Sequence, residues 1–187
     1  MTSLEEQQLI KEAQKDNESF AKLYDLYYPK IFGYIFRRTL DLELSKDITS
    51  ETFIKAYINI GRFQWKNIPF SSWLFRIATN EMNMADRKKK YKAESLHQLL
   101  EKGTLEIADP QSLETEKIVI EKQLQQSKDF LAVQQKLLLL PVKYQEVIAL
   151  RFFEVKRIKE IAEILDKNEG TVKSLISRGI DKLKILF

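Results

Sequence analysis

The stretch from Ile158 to Arg178 constrains the fold most, because its pattern predicts two short helices joined by a tight turn. Small and aliphatic residues recur at helical spacing in its first half, at Ile158, Ile161, Ala162 and Leu165. The triplet 166–168 interrupts that pattern, and Asn168 is placed to cap a second helix that crosses the small Ala162 closely. This arrangement is typical of a DNA-reading helix-turn-helix, and equally of an ordinary helical hairpin.

The predicted second helix has two unlike faces. One face is apolar and carries Val172, Ile176, Gly179 and Leu183. The other presents short hydrogen-bond donors and cations, namely Thr171, Ser174, Ser177 and Arg178, with Lys173 on the flank. A helix with an apolar back and a polar, cationic front suits the major groove, where donors meet base edges and cations meet phosphates. This stretch alone leaves the hairpin alternative open.

Composition indicates an all-helical globular protein. Of 187 residues, 44% are hydrophobic and 31% are charged, while only five are Gly and four are Pro. The absence of cysteine excludes disulfides and thiolate metal ligands, and the one histidine, His97, offers no cluster for metal binding or catalysis. The amino terminus lacks a signal-peptide core, and no apolar run approaches the ~20 residues that span a bilayer. We therefore expect a cytoplasmic protein without membrane insertion.

Net charge changes sign along the chain. Residues 1–92 hold 16 Lys and Arg against 12 Asp and Glu, residues 93–134 hold 4 against 8, and residues 135–187 hold 11 against 7. The hydrophobic pattern also loses its period in the middle region. We predict domains at 1–92 and 135–187, each contacting a polyanion, joined by an acidic linker at 93–134. Chance clustering of charge on a solvated surface is the alternative.

Two helices are predicted before residue 40. The first runs from Leu4 to Lys15, and its expected buried positions are Leu4, Leu9, Ile10 and Ala13. Asn17 is placed to cap the second helix, whose many aromatic residues are expected to fill the core of the first domain. Pro29 predicts a break, or the start of a new helix, within this aromatic segment.

The helix predicted from Asp41 to Ile60 has an unusual outer face. Its expected buried positions are Ser45, Thr49, Thr52, Phe53, Ala56 and Ile60. The opposite face shows Asp47, Glu51, Ile54 and Ile58, which we call the docking stripe. Large apolar side chains beside carboxylates on a solvent face indicate docking to a partner that offers basic and apolar groups. A thicker core over both faces is one alternative, and a catalytic carboxylate pair is disfavoured because no histidine or glycine-rich loop lies nearby.

Residues 61–92 predict a nucleic-acid surface. The loop after Gly61 mixes cations with aromatic residues, a combination that can stack on unpaired bases: Arg62, Phe63, Trp65 and Lys66. The helix that follows shows an outward stripe of hydrogen-bond donors at Arg76, Asn80, Asn83 and Arg87. This helix runs into a cationic end from Arg87 to Lys92. Loop aromatics packed on their own domain, and a merely solvated helix end, are the alternatives.

These segments, in this order, resemble the RNA polymerase sigma factors of the extracytoplasmic-function (ECF) type, in the sigma-70 family. In the first domain the similarity lies in FAKLYDLYYPKIFGYIFRR, KDITSETFIKAY and FSSWLFRIATNEMNMADRKKK. In the second it lies in LPVKYQEVIALRFFEVKRIKEIAEIL followed by NEGTVKS. The resemblance covers nearly the whole chain. It implies an all-helical, two-domain protein, not an enzyme and without a cofactor, that binds core RNA polymerase and directs transcription initiation at promoters.

The resemblance also implies roles for particular residues. The docking stripe, Asp47, Glu51, Ile54 and Ile58, would bind the clamp helices of the β′ subunit. A surface that we call the −10 surface would melt and hold the −10 element through Arg62, Phe63, Trp65, Lys66, Arg76, Asn80, Asn83, Asp86, Arg87 and Lys88. The −35 element would be read by Glu169, Gly170, Thr171, Lys173, Ser174, Ser177 and Arg178. The other side of the second domain would meet the β flap, and an anti-sigma factor is left open as a further partner.

The second domain departs from the family pattern in its turn and its recognition helix. The recognition motif usually continues Ser-Arg after the lysine, whereas Leu175 follows Ser174 here. The turn usually carries glycine and then an apolar residue, whereas this chain has Asp166 and Lys167. We expect these changes to alter or weaken the −35 contact and to leave the helix packing intact. A free-standing helix-turn-helix regulator is the alternative function, but the docking stripe would then have no purpose.

Overall fold

The computed structural model describes residues 2–65, 69–97 and 128–187, and the regular structure in these ranges is entirely helical. Its α-helices, in chain order, are α1 (Ser3–Ala13), α2 (Asn17–Thr39), α3 (Leu42–Asn59), α4 (Phe70–His97), α5 (Lys128–Leu138), α6 (Val142–Ile148), α7 (Ile158–Leu165) and α8 (Glu169–Lys184). A 3-10 turn at Ile60–Arg62 extends α3, and a π-helical turn at Ala149–Phe153 extends α6. The predicted all-helical class is confirmed. No helix within the described ranges has the length and apolarity needed to cross a membrane.

Helices α1 to α4 form a first bundle around an aromatic core. Helix α2 is central to this bundle, because it packs against α1, α3 and α4. The rings of Tyr24 and Phe53 meet with their centroids 4.7 Å apart, and Tyr34 meets Phe75 edge to face at 4.9 Å. Each such pair contributes about 0.5–1.5 kcal/mol beyond the area that it buries. The prediction that the aromatic residues of α2 fill the core is confirmed.

Two predictions near the start of the chain are wrong. Leu4 is 78% exposed, because the face of α1 that packs against α2 is carried by later residues such as Ile10. Asp16, and not Asn17, caps α2: its carboxylate accepts the Ser19 backbone N–H at 2.9 Å. That hydrogen bond also lowers the pKa of Asp16, because it stabilises the charged carboxylate.

The predicted break at Pro29 is also wrong, because α2 continues through it without interruption. A proline inside a helix cannot donate the usual backbone hydrogen bond, and its ring crowds the preceding turn. Tyr28 and Ile31, on either side of Pro29, are both buried in the core. Their packing favours a continuous helix and offsets the local cost of the proline.

The second bundle consists of α6, α7 and α8, and the predicted helix-turn-helix lies within it. Helix α7 ends at Leu165, where Asp166 takes a left-handed backbone with φ of 53°. A short polar side chain tolerates this conformation better than a bulky one. Asn168 then caps α8 by accepting the Thr171 backbone N–H at 2.7 Å. The two predicted helices, their turn and the cap are confirmed.

The two bundles touch, because α4 packs against α7 as well as against α2 and α3. Most of the predicted linker, 93–134, falls outside the described residues, although its end, 128–134, belongs to α5. Gln134 on α5 is buried and donates to the Arg37 backbone oxygen at 2.9 Å. Helix α5 therefore also joins the second bundle to α2.

Helix α8 crosses α6 most closely at Gly179. A Cβ atom at position 179 would lie 3.0 Å from Ile148 Cδ1 and 3.3 Å from Tyr144 Cβ, both on α6. These distances are shorter than ordinary van der Waals contact, so the crossing depends on a residue without a side chain.

We expect Gly179→Leu to lower the free energy of unfolding by about 1–3 kcal/mol, because the added side chain forces α6 and α8 apart. Gly170→Leu in the same helix is the matched control, since a Cβ there meets only the Asn168 side-chain oxygen at 3.5 Å. Chemical denaturation of both variants checks the prediction. Equal stability of the two variants would contradict it.

Candidate functional site

The docking stripe is exposed along its full length on α3. Asp47 and Glu51 face solvent, Ile54 is 52% exposed and Ile58 is 70% exposed. The opposite face is buried, as predicted, and its members are Ser45, Thr49, Thr52, Phe53, Ala56 and Ile60. The alternative of a thicker core over both faces is therefore wrong.

The buried face of α3 is partly polar, and the helix itself satisfies its hydroxyl groups. Thr49 Oγ1 donates to the Ser45 backbone oxygen at 2.6 Å, and Thr52 Oγ1 donates to that of Ile48 at 2.7 Å. Small hydroxyl residues paired in this way let α3 pack closely on the bundle without an unpaired polar group. The large apolar side chains of α3 that remain exposed are Ile54, Tyr57 and Ile58.

The carboxylates of the docking stripe lie beside an ion pair that joins α3 and α4. Across the described part of the chain, no group of three or more His, Asp and Glu side chains is arranged to hold a metal ion. The nearby Lys55 pairs with Glu81 of α4, Nζ to Oε2 at 2.6 Å, and this ion pair ties α3 to α4. Asp47 and Glu51 stand beside it on a groove between the two helices. Their position suits recognition of a basic partner surface.

The aromatic side chains in the loop part of the −10 surface pack against other residues of the first bundle. Phe63 lies edge to face with Phe70 at 5.2 Å between ring centroids, and 5.1 Å from Trp73. Trp65 is half-buried against the core, while Arg62 is exposed. Phe63 therefore packs on its own domain, which is one of the two alternatives that the sequence left open for the loop aromatics. Lys66, also predicted for this surface, lies outside the described residues.

The helical part of the −10 surface follows α4, and one of its members departs from the prediction. The side chains that face solvent there are Arg76, Asn80, Asp86, Arg87 and Lys88. Asn83 is instead half-buried, because α6 lies over it and Glu146 Oε1 accepts its Nδ2 hydrogen bond at 2.8 Å. The expectation that Asn83 points outward is wrong in this arrangement, for a reason that lies in the other domain.

Helix α8 presents the predicted −35 residues together on one side. Six of them are exposed, Glu169, Gly170, Thr171, Lys173, Ser177 and Arg178, while Ser174 is half-buried. The apolar back of the helix includes Leu175, which is only 9% exposed and packs with Val172 in the core. Leu175 was not predicted for this face. The residue that departs from the family pattern thus packs in the core and does not lie on the exposed side of α8.

Sequence reasoning missed a set of buried residues where the two bundles meet. On α4 these are Ser71, Ser72 and Phe75, and in the second domain they are Glu146, Glu154, Lys156 and Glu160. Charged residues in a helical segment normally indicate a solvated face, so composition gave no signal for most of them. Phe75 was the one available hint, because it is a large apolar residue directly before the predicted outward stripe that starts at Arg76.

The burial of Leu175 gives a test on α8. Leu175→Arg supplies the cation that the family pattern has after Ser174, but we expect it to destabilise the second bundle by about 2–5 kcal/mol. Burying a guanidinium and losing an aliphatic side chain both oppose folding. Ser177→Arg on the exposed side of the same helix is the control and should leave stability nearly unchanged. Thermal unfolding of the two variants checks this, and a fully stable Leu175→Arg variant would contradict the placement.

Two family models match the chain in the order of its two bundles. Sigma-70 region 2 matches residues 23–91, and Sigma-70, region 4 matches residues 130–183. The first match contains α3 and most of α4, and the second contains the helix-turn-helix. The docking stripe and the predicted −35 residues thus fall in separate matched regions.

Similar proteins of known family span nearly the whole chain. The ECF RNA polymerase sigma factor SigW of Bacillus subtilis is 35% identical over 176 residues, which are 94% of this chain and 92% of SigW. The RNA polymerase sigma factor YlaC of the same organism is 30% identical over 171 residues, 91% of this chain and 92% of YlaC.

Solved structures share the fold. The sigma factor RpoE, in complex with the anti-sigma factor NepR from Bartonella quintana, matches with a TM-score of 0.68 at 21% identity, over 90% of this chain and 96% of that one. CnrH, in complex with the cytosolic domain of CnrY, matches with a TM-score of 0.66 at 19% identity, over 97% and 96%. Sequence and fold agree, and the chain belongs to the ECF sigma factors of the sigma-70 family, the proteins that direct RNA polymerase in transcription initiation.

Proposed function

We propose that this sigma factor binds core RNA polymerase through its docking stripe, opens the −10 element with its −10 surface and reads the −35 element with α8. The protein has no catalysis of its own in this scheme and acts in the cytoplasm, where polymerase and promoters are. The exposed pair Ile54 and Ile58 beside Asp47 and Glu51 carries the proposal. A stand-alone DNA-binding regulator has no use for that combination.

The docking stripe suits a helical partner with basic and apolar groups, such as the β′ clamp helices. Fully burying an exposed isoleucine stabilises a contact by about 1.5–3 kcal/mol, so Ile54 and Ile58 supply the apolar contribution to the binding free energy. Asp47 and Glu51 supply orientation and partner choice, since charge complementarity governs specificity and association rate more than affinity. Tyr57, also exposed on α3, extends this apolar area.

The −10 surface combines groups for bases with groups for phosphates. Arg76 and Asn80 present donors along the solvent side of α4, and Arg87 and Lys88 follow toward its cationic end. Phosphate contacts position a strand, whereas donors and aromatic groups distinguish or hold its bases. We assign this surface to the melted strand of the −10 element. The aromatic cluster around Phe63 forms one side of the site that we propose for an unpaired base.

The second domain has two exposed surfaces with different chemistry. Helix α8 carries the donors and cations that we assign to the −35 duplex. Near the end of the chain and at the end of α5, large apolar residues are exposed: Leu139, Ile185 and Phe187. Exposed apolar residues of this size favour a protein partner. We assign them to the polymerase β flap or, in an inhibited state, to an anti-sigma factor.

Co-purification with core polymerase, followed by transcription from genomic fragments, tests the proposed function. Stoichiometric binding together with new promoter-specific transcripts supports it, and the mapped start sites give the −10 and −35 sequences. A chain that binds DNA alone and ignores polymerase would instead be a stand-alone helix-turn-helix regulator.

Asp47→Ala combined with Glu51→Ala should weaken binding to core polymerase by roughly tenfold or more, because the basic groups of the partner are then buried without their carboxylate partners. Asp25→Ala combined with Asp181→Ala is the control: it changes the net charge equally at exposed positions outside the stripe. Fluorescence anisotropy with core polymerase measures both affinities. Equal affinities of the two double variants would show that the docking stripe is not part of the interface with polymerase.

Lys173→Ala should weaken binding of the polymerase–sigma complex to promoter DNA and reduce the dependence of log affinity on log salt by roughly one unit, as expected for one lost phosphate contact. Lys11→Ala on exposed α1 removes the same charge away from α8 and serves as the control. Binding is measured over a range of salt concentrations. An unchanged salt dependence would exclude Lys173 as a phosphate contact.

A further inference from the structure

A cavity of about 520 Å³ lies where the first bundle meets α5 and α6. The end of α2, the start of α3 and the middle of α4 form one side of it, and Leu138 and Val142 form the other. Volumes of about 300–1,000 Å³ are typical of pockets that bind small molecules. The cavity includes no residue of the docking stripe or of α8, although Asp86 and Lys88 belong both to its lining and to the −10 surface.

Much of the cavity wall is apolar. Six of its lining residues are apolar and come from four helices: Leu44 and Ile48 of α3, Met82 and Ala85 of α4, Leu138 of α5 and Val142 of α6. Such a wall favours the hydrocarbon part of a ligand, because binding removes apolar surface of both from water.

The same wall contains a buried cation. Arg38, near the end of α2, is only 7% exposed and lines the cavity. Within the described ranges its guanidinium has no carboxylate at ion-pair distance, and its Nε has no hydrogen-bond partner. Arg38 Nη1 donates to the Tyr34 hydroxyl at 3.4 Å, which is long for a hydrogen bond and therefore weak. Buried charges are normally paired, because removing them from water is costly.

The carboxylates around Arg38 are engaged in other contacts or face solvent. Asp41 lines the cavity, but its carboxylate caps the start of α3. Glu146 of α6 is buried and accepts the hydrogen bond of Asn83 at 2.8 Å. Asp86, also in the lining, is exposed. The described residues therefore supply the Arg38 guanidinium with no direct counter-charge.

We propose that this cavity binds a small organic monocarboxylate with an apolar body, whose carboxylate pairs with Arg38 and whose hydrocarbon part lies against the apolar wall. A guanidinium matches a carboxylate in shape and can form two parallel hydrogen bonds with it. A dianion such as phosphate is disfavoured, because Asp41 and Asp86 add negative charge to the same lining. The ligand contacts both bundles and so stabilises the folded chain by mass action.

Titration calorimetry of the full chain with octanoate tests this inference, and thermal unfolding in the presence of octanoate gives a second readout. We expect one octanoate to bind per chain and to raise the unfolding temperature. Acetate has the carboxylate without the apolar body, and 1-octanol has the body without the charge. Both, and inorganic phosphate, should bind roughly tenfold more weakly or worse, because each lacks one of the two contacts or carries an opposed charge.

Arg38→Met removes the charge and keeps most of the length of the side chain. We expect this variant to bind octanoate roughly tenfold or more weakly, because the buried charge pair is lost. Its stability without octanoate should equal or exceed that of the unaltered chain, since a buried cation without a counter-charge opposes folding. Lys22→Met removes the same charge from an exposed position of α2 and should leave the affinity for octanoate unchanged.

Ala85→Phe tests the volume of the cavity and retains the charge of Arg38. The added ring occupies part of the cavity, so octanoate binding should be lost. Ala21→Phe makes the same change at an exposed position of α2 and should bind normally. If Arg38→Met does not fold, Ala85→Phe and the comparison with 1-octanol decide the question.

The inference is overturned by any of three results. These are no saturable octanoate binding at millimolar concentrations, equal affinities for octanoate and for 1-octanol or phosphate, and unchanged octanoate affinity in folded Arg38→Met or Ala85→Phe. None of these measurements involves polymerase or DNA, so their outcome is independent of the proposed function.

Discussion

Helix α4 is packed from two sides, and the arrangement of the whole molecule depends on this double burial. Leu74, Phe75 and Ala78 in its first half are fully buried. Helices α2 and α3 pack on it from the first bundle, and α7 packs on it from the second. Because apolar burial is the dominant favourable term in folding, an element that both bundles share also determines how they sit together. The same helix carries most residues of the −10 surface, which we propose to bind DNA.

The two bundles use different means to hold their helices. The first relies on aromatic rings, which bury large areas and pack edge to face around α2. The second is small, and it relies on the close crossing at Gly179 and on the caps of the turn at Asp166 and Asn168. Where the bundles meet, the buried residues include the charged side chains of Glu146, Glu154 and Lys156. This distribution fits two stable domains with a reversible contact, because polar interfaces lose less than apolar ones when water enters.

The contact between the bundles covers the start of α4 and leaves the exposed faces of α3 and α8 open to solvent. The docking stripe on α3 and the donors of α8 face solvent, whereas Asn83 and the start of α4 are covered. Arg76, Asn80, Arg87 and Lys88 of the −10 surface also remain exposed. The surfaces that we propose for polymerase and for the −35 element need no rearrangement of the bundles to become accessible.

The sequence by itself determined the helical class, the helix-turn-helix with its Asn168 cap, and the solvent face of α3. All of these follow from spacing of three and four residues and from local capping, which neighbours in the chain decide. Tertiary packing alone decided that α2 runs through Pro29, that Leu175 turns inward and that Asn83 pairs with Glu146. Glu154 and Lys156 of the second domain are buried against the first bundle, where Glu154 pairs with Arg37 and Lys156 donates to Ser71. The periodicity of one helix carries no information about which distant segment of the chain packs against it. The contact between the bundles joins such distant segments, so the sequence pattern did not predict it.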